Sequence, residues 1–155
     1  MMMIRKLIGT TITYLTQKTR TWKKFSNTER WLVLQALILF PLVASFLKLW
    51  GLKRTYYFWS FFLSEPEPRS LSLLHTTVRS VQIAAKYHTW ATCLRKSLVL
   101  WFLLRRQKIA AELQIGTRFE GKEFQAHAWV EYQGNVIGDR HSVQQHFTTF
   151  NNLNL

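Results

Sequence analysis

The chain holds one cysteine, Cys93, and one aspartate, Asp139, among 155 residues. A single cysteine excludes any internal disulfide and the disulfide framework of small secreted domains, so a cytoplasmic setting is the default. Proline and glycine are sparse, at three and six, and acidic residues number eight against 21 Lys and Arg. The low Pro and Gly content excludes collagenous or low-complexity structure. Apolar residues supply 48% of the chain and aromatics 15%, enough to bury one core, so the chain is not disordered by composition. Histidines are few, and their spacing matches no metal site: His141 and His146 stand five apart where a helical pair needs three or four, and His75 and His88 are isolated. No metal or other cofactor is expected.

The net charge of +13 is concentrated at the front. Residues 1–60 carry ten Lys or Arg and a single acid, Glu29, while 61–155 carry eleven against seven. Such a front attracts any polyanion, whether nucleic acid, an anionic membrane face or an acidic peptide. Neither paired zinc-ligand spacings nor an aromatic RNA-binding consensus accompanies it, so nucleic acid is not expected as a partner. The N-terminal "MMMIRKLIGTTITYLTQKTR" has a short apolar stretch broken by threonines and no small-residue cleavage pattern, and does not read as a signal peptide. Residues 31–47, "WLVLQALILFPLVASFL", are uncharged and reach the lower limit for a membrane span. Gln35 and Pro41 interrupt them, Arg30 and Lys48 close them off, and Ser26 with Glu29 forms a capping box at the start. This pattern predicts a soluble or interfacial apolar helix, with peripheral membrane contact through the N-terminal region.

Two parts follow from these shifts: a basic, helical N-terminal region at 1–63 and a core at 64–155, joined by "SEPEPRS" at 64–70 as a linker or turn. Leu71, Leu74, Val78, Val81 and Ala85 recur at helical spacing, predicting a helix that ends near Tyr87. "TCLRKSLVLWFLLRRQK" predicts a buried helix starting at Cys93, with Thr92 as N-cap and Arg105 and Arg106 at the end where cations suit the dipole. Beyond it the period becomes two. "AAELQIGTR" alternates, "EGK" turns, "EFQAHAWVEY" is a second strand, and "QGN" turns into "VIGD". Helices followed by an antiparallel sheet make the class α+β.

A cysteine in the first turn of a helix lies at the positive end of the dipole, which favours thiolate. A helix end supplies only about 1 kcal/mol, whereas turning an ordinary thiol into a standing thiolate takes roughly 6 kcal/mol, so an imidazolium partner is needed. His127 is the candidate. On its strand the even positions Phe124, Ala126, Ala128, Val130 and Tyr132 are apolar, so His127 points to the other face, where the start of the Cys93 helix would have to cover it. A third group must orient the ring. Glu131 shares its face but lies about 13 Å along the strand at roughly 3.3 Å per residue. Asp139 reaches it on one condition: a two-residue loop at Gly134 and Asn135 pairs Asp139 with Val130, on the wrong face, whereas a three-residue loop from Gln133 to Asn135 pairs it with Trp129. The three-residue loop is predicted, with Asn135 left-handed. Ser97 reads as packing or capping, Trp129 and Trp90 as core or cleft aromatics, and Arg95, Lys96, Arg105 and Arg106 as a solvated face that would suit an acidic peptide. The backbone N–H of Cys93, ahead of Trp90, is the expected oxyanion donor.

"TCLRKSLVLWFLLRR", "AAELQIGTR" and "FQAHAWVEYQGNVIGD", in that order, resemble the papain- or transglutaminase-like core of the leader peptidases of lasso peptide biosynthesis, in the form whose leader-recognition domain is a separate chain. The resemblance covers about residues 75–140, and "ERWLVLQALILFPLVASFLKLWGLKR" is similar to the helical region that precedes that core. It implies a cysteine protease with Cys93 as nucleophile, His127 as base then acid, and Asp139 orienting His127. It further implies a ribosomal precursor peptide as substrate, a small leader-binding recognition protein as partner, and an ATP-dependent, asparagine-synthetase-like cyclase acting afterwards. Lys108 departs from the pattern, standing where a glycine is expected after the arginine-rich helix end. A transglutaminase-like acyltransferase using the same three residues, or a non-catalytic basic scaffold, are the alternative functions.

Overall fold

The computed structural model describes residues 25–63, 65–67, 71–120, 123–140 and 142–149. The basic stretch before residue 25, part of the "SEPEPRS" linker, the centre of the "EGK" turn and His141 lie outside the described residues.

Helix α1 (Asn27–Ser60) opens at Ser26, whose Oγ accepts the backbone N–H of Glu29 at 3.2 Å. Only this half of the predicted capping box forms, because the Glu29 carboxylate is buried and pairs with Arg79 at 3.4 Å. One side of α1 carries Leu32, Val33, Ala36, Leu39, Phe40 and Val43 into the core. Pro41 is accommodated within the helix, but at Gly51 (φ +71) the backbone leaves helical geometry. Phe46 and Phe58, twelve residues apart, would be about 18 Å apart along a straight helix. Their rings stack at 5.0 Å, so the chain folds back at Gly51. By length and composition alone α1 could cross a membrane, with a mean hydropathy of 2.2 over its most apolar window.

Helix α2 (Leu71–Ala85) buries Leu74, Thr77, Ser80, Val81 and Ala84, one face at helical spacing, and ends two residues before the predicted Tyr87. Helix α3 (Cys93–Arg106) is the centre of the domain: Ser97 to Leu104 are all buried, between α1, α2 and the sheet. Its end explains the missing glycine. Lys108 takes the left-handed conformation (φ +63) that a side chain disfavours, while its N–H and that of Ile109 close the helix on Arg105 and Leu104 carbonyls. The strained residue is held from outside, by an ion pair to Glu67 and by the Glu67 N–H donated to its carbonyl at 2.7 Å.

Strands β1 (Ala111–Glu120), β2 (Glu123–Tyr132), β3 (Asn135–Ile137) and β4 (Thr148–Thr149) form one antiparallel sheet in the order β3-β2-β1-β4, with the short helix α4 (Val143–His146) before β4. Gly116 stands opposite His127. Helix α3 packs on the sheet face bearing Ala111, Leu113 and Val130, so the fold is α+β with the three long helices on one side of the sheet. A second, smaller core of Trp129, Val136, Val143 and Phe147 covers the other face.

Two expectations are corrected here. The β2–β3 turn is neither of the loops weighed from sequence: Tyr132 pairs with Asn135, so the two-residue turn is Gln133–Gly134, both left-handed (φ +51 and +77), and Asn135 is the first residue of β3. Left-handed geometry at both central positions matches the strand twist, which favours this turn over the longer loop. The Cys93 helix also does not cover the odd face of β2. That face is covered by Val143 and Phe147, while α3 lies on the even face.

Candidate active site

Cys93 is the first residue of α3 and is partly exposed; Thr92 has the extended conformation of an N-cap, but its side chain makes no capping hydrogen bond. Four residues on, at the spacing that stacks side chains on one helix face, Ser97 Oγ donates to the Ala128 carbonyl at 2.8 Å in a buried bond. This bond pins the first turn of α3 to β2 at the residue next to His127. Because β3 pairs only with Val130, Glu131 and Tyr132, the edge of β2 around His127 has no strand beside it among the described residues. Cys93 and His127 line the same cavity beside that edge.

Asp139 arrives there by a device absent from strand alternation. Continuing the Val130↔Ile137 register would set Asp139 opposite Ala128, on the α3 face. Gly138, at φ +77, takes the chain out of the strand instead. Asp139 Oδ2 then lies 2.7 Å from His127 Nε2, and Asp139 Oδ1 accepts the Arg140 N–H at 2.7 Å, so both carboxylate oxygens are engaged. The carboxylate thus holds the ring through Nε2 and not through Nδ1. The ring itself packs against Phe147, 5.3 Å between centroids, and roughly parallel to Trp129 at 6.3 Å.

Cys93, His127 and Asp139 all line one cavity of about 260 Å³, with Gln82, Lys96 and Leu100 among its other walls. A thiol, an imidazole and a carboxylate in this order are the parts of an activated sulfur nucleophile. Comparison with protein families matches residues 53–152, from the second arm of α1 past β4, to the transglutaminase-like superfamily. The chain belongs to that superfamily. No curated protein and no solved structure matches it.

Within this transglutaminase-like core, other residues singled out from sequence take different places. Trp129 is 1% exposed and both core and cavity wall, and its Nε1 donates to Glu131 Oε1 at 2.7 Å. Glu131 therefore stays away from His127 and instead ties Trp129 to α4, accepting from Gln144 at 2.8 Å. Trp90 lies outside the Cys93 cavity, under the Arg95 guanidinium at 5.3 Å, and lines a neighbouring groove with Lys48 and Thr92. His88 packs its ring between Phe40 and Trp90. His146 faces the Ser142 carbonyl through Nδ1 at 2.6 Å. Lys96 belongs to the cavity, unlike Arg95. Two contributors had no sequence signal: Gln82, whose amide reaches the Gly138 carbonyl at 3.4 Å from α2, and Phe147, brought under His127 by a four-residue helix too short to show a period.

Proposed function

We propose that this chain is a cysteine peptidase that removes the leader from a ribosomally made lasso precursor peptide before the core is closed into a macrolactam. The observation that carries the reading is the His127–Asp139 pair at 2.7 Å sharing one cavity with Cys93. In this mechanism His127 takes the Cys93 proton, and the thiolate adds to the carbonyl carbon of the scissile amide. The backbone N–H of Cys93 faces the developing oxyanion. The tetrahedral intermediate collapses as the imidazolium gives its proton to the departing amine, which is the new N-terminus of the core. Water, deprotonated by His127, then hydrolyses the leader thioester and restores the thiol. Asp139 keeps the ring oriented throughout. A cytoplasmic setting keeps the sulfur reduced. A small leader-binding protein delivers the precursor, and an ATP-dependent, asparagine-synthetase-like cyclase consumes the freed core.

Incubating the full chain with a precursor and its leader-binding protein, then weighing the products, tests this. Hydrolysis at one amide is expected, with no processing by Cys93→Ala, a large loss for His127→Ala and a smaller one for Asp139→Asn. Removing the general base alone should cost about 10²–10⁴-fold. Undiminished processing by Cys93→Ala would refute the peptidase reading. A product carrying an added amine would move the reaction to acyl transfer.

A further inference from the structure

Between residues 31 and 47 helix α1 carries no charge, yet only one of its sides is core. Between residues 31 and 49 the opposite side presents Trp31, Leu34, Ile38, Leu42 and Leu49, a stripe within roughly 80° of the helix circumference and about 27 Å long. These side chains are not marginally open: Trp31 is 60% exposed, Ile38 55% and Leu49 75%. Where the chain folds back, three further exposed aromatics lie together, Trp50 and Phe58 at 5.6 Å and Phe58 and Phe62 at 5.3 Å between ring centroids. So many exposed large apolar side chains on one side of a helix mark a place of contact.

Charge decides the partner. Residues 30–63 contain Arg30, Lys48, Lys53 and Arg54 and no acid. A second copy of the chain brings the same +13, so like charges oppose self-association through this face. A nucleic-acid backbone would meet the cations but offers no hydrocarbon for the stripe. An anionic bilayer surface offers both: hydrocarbon for the exposed Trp31, Leu34, Ile38 and Leu42, and anionic headgroups for Lys48, Lys53 and Arg54. Spanning is excluded by the same geometry: the far side of α1 is the domain's own core, with Val33 and Phe40 wholly buried, and Gly51 folds the helix back. We infer that the outer face of α1 docks this protein peripherally on an anionic phospholipid membrane, lying in the interface plane. This goes beyond the peptidase reading and does not depend on it.

The full chain, sedimented with vesicles of phosphatidylcholine with or without phosphatidylglycerol, provides the test. It should pellet with the anionic vesicles and largely stay in solution with the neutral ones. Lys48→Gln with Lys53→Gln should weaken binding about 30-fold, roughly fivefold for each cation removed. Ile38→Ser with Leu42→Ser should weaken it at least tenfold. Both pairs are solvent-facing, and an unchanged melting temperature certifies the fold. Protein that stays in solution with anionic vesicles overturns the inference, as does binding that survives the apolar substitutions. It is overturned too if sedimentation velocity without lipid shows a dimer that those two serines dissolve.

Discussion

Gly138→Ala probes the device that brings Asp139 to His127. At φ +77 an alanine pays about 1 kcal/mol for left-handed backbone. Its Cβ would also stand 2.9 Å from Leu100 Cδ2 and 3.6 Å from Val78 Cγ1. Leu100 is buried in α3, so its methyl can retreat only in part, and this crowding adds about another 1–2 kcal/mol. The expected loss is therefore about 2–3 kcal/mol. Gly134→Ala is the control, because Gly134 has the same φ of +77 but nothing within 4 Å of the added Cβ, leaving the backbone term of about 1 kcal/mol alone. Urea unfolding followed by tryptophan fluorescence reads both as midpoint shifts at constant slope. A second readout is the rate at which iodoacetamide alkylates Cys93 at neutral pH. It should fall in Gly138→Ala, where the carboxylate is displaced from the ring, and stay at the wild-type rate in Gly134→Ala. Equal stability losses in the two variants, or a Gly138→Ala protein that alkylates at the wild-type rate, would refute the role given to this glycine.

Ser97→Ala leaves the Ala128 carbonyl without its buried donor and should cost about 1–3 kcal/mol in urea unfolding, with slower alkylation of Cys93 because the α3 start is no longer pinned beside His127. Lys108→Gly relieves left-handed strain of about 1 kcal/mol but also removes the ion pair to Glu67. Made in a Glu67→Ala background it should therefore stabilise by that full amount, and a destabilised double variant in thermal melts would show that the strain is not there. Tyr56, stacked on Trp101 at 4.6 Å, has its phenol pushed above the ordinary value of 10.0 by burial, against a smaller opposing pull from Arg105. The folded state then favours the neutral phenol. That stabilisation is complete below the unfolded value and is lost as pH rises through the folded one. The melting temperature should drop above about pH 10 and drop less in Tyr56→Phe; parallel curves would contradict it.

The elements most legible in the sequence are those where one period dominates. The buried run after Cys93, the alternation from Ala111 and the strand around His127 each appear where the pattern puts them, within a residue or two. The expected glycine at 108 was legible in another way: the position does need left-handed backbone, and the chain meets the need with a lysine tied to Glu67. The pairing of His127 with Asp139 was anticipated, but by the wrong route. Alternation assumes the strand continues to Asp139, and under that assumption the face is set by loop length. In the structure β3 ends at Ile137, and the single dihedral at Gly138 sets the direction of the next side chain. A backbone angle at a strand end leaves no periodic trace. The covering of the odd face by Val143 and Phe147 was illegible for a related reason, since α4 is shorter than one hydrophobic repeat.

One face of α3 unites the parts of the site. Cys93, Ser97 and Leu100 stand at i, i+4 and i+7, the spacing of a single helical stripe, and all three line the cavity. The first carries the sulfur. The second holds the β2 backbone next to His127, and the third packs against Gly138, from which Asp139 departs. A rotation of α3 about its axis therefore cannot move the sulfur alone, because it drags on the strand bearing the imidazole and on the turn bearing the carboxylate. Three side chains from a helix, a strand and a loop are thereby given one common reference. That is why a cavity wall as bland as Leu100 matters to a contact it does not make: shortening it to alanine would free Gly138 to relax and loosen the His127–Asp139 contact, with Cys93, His127 and Asp139 all unchanged.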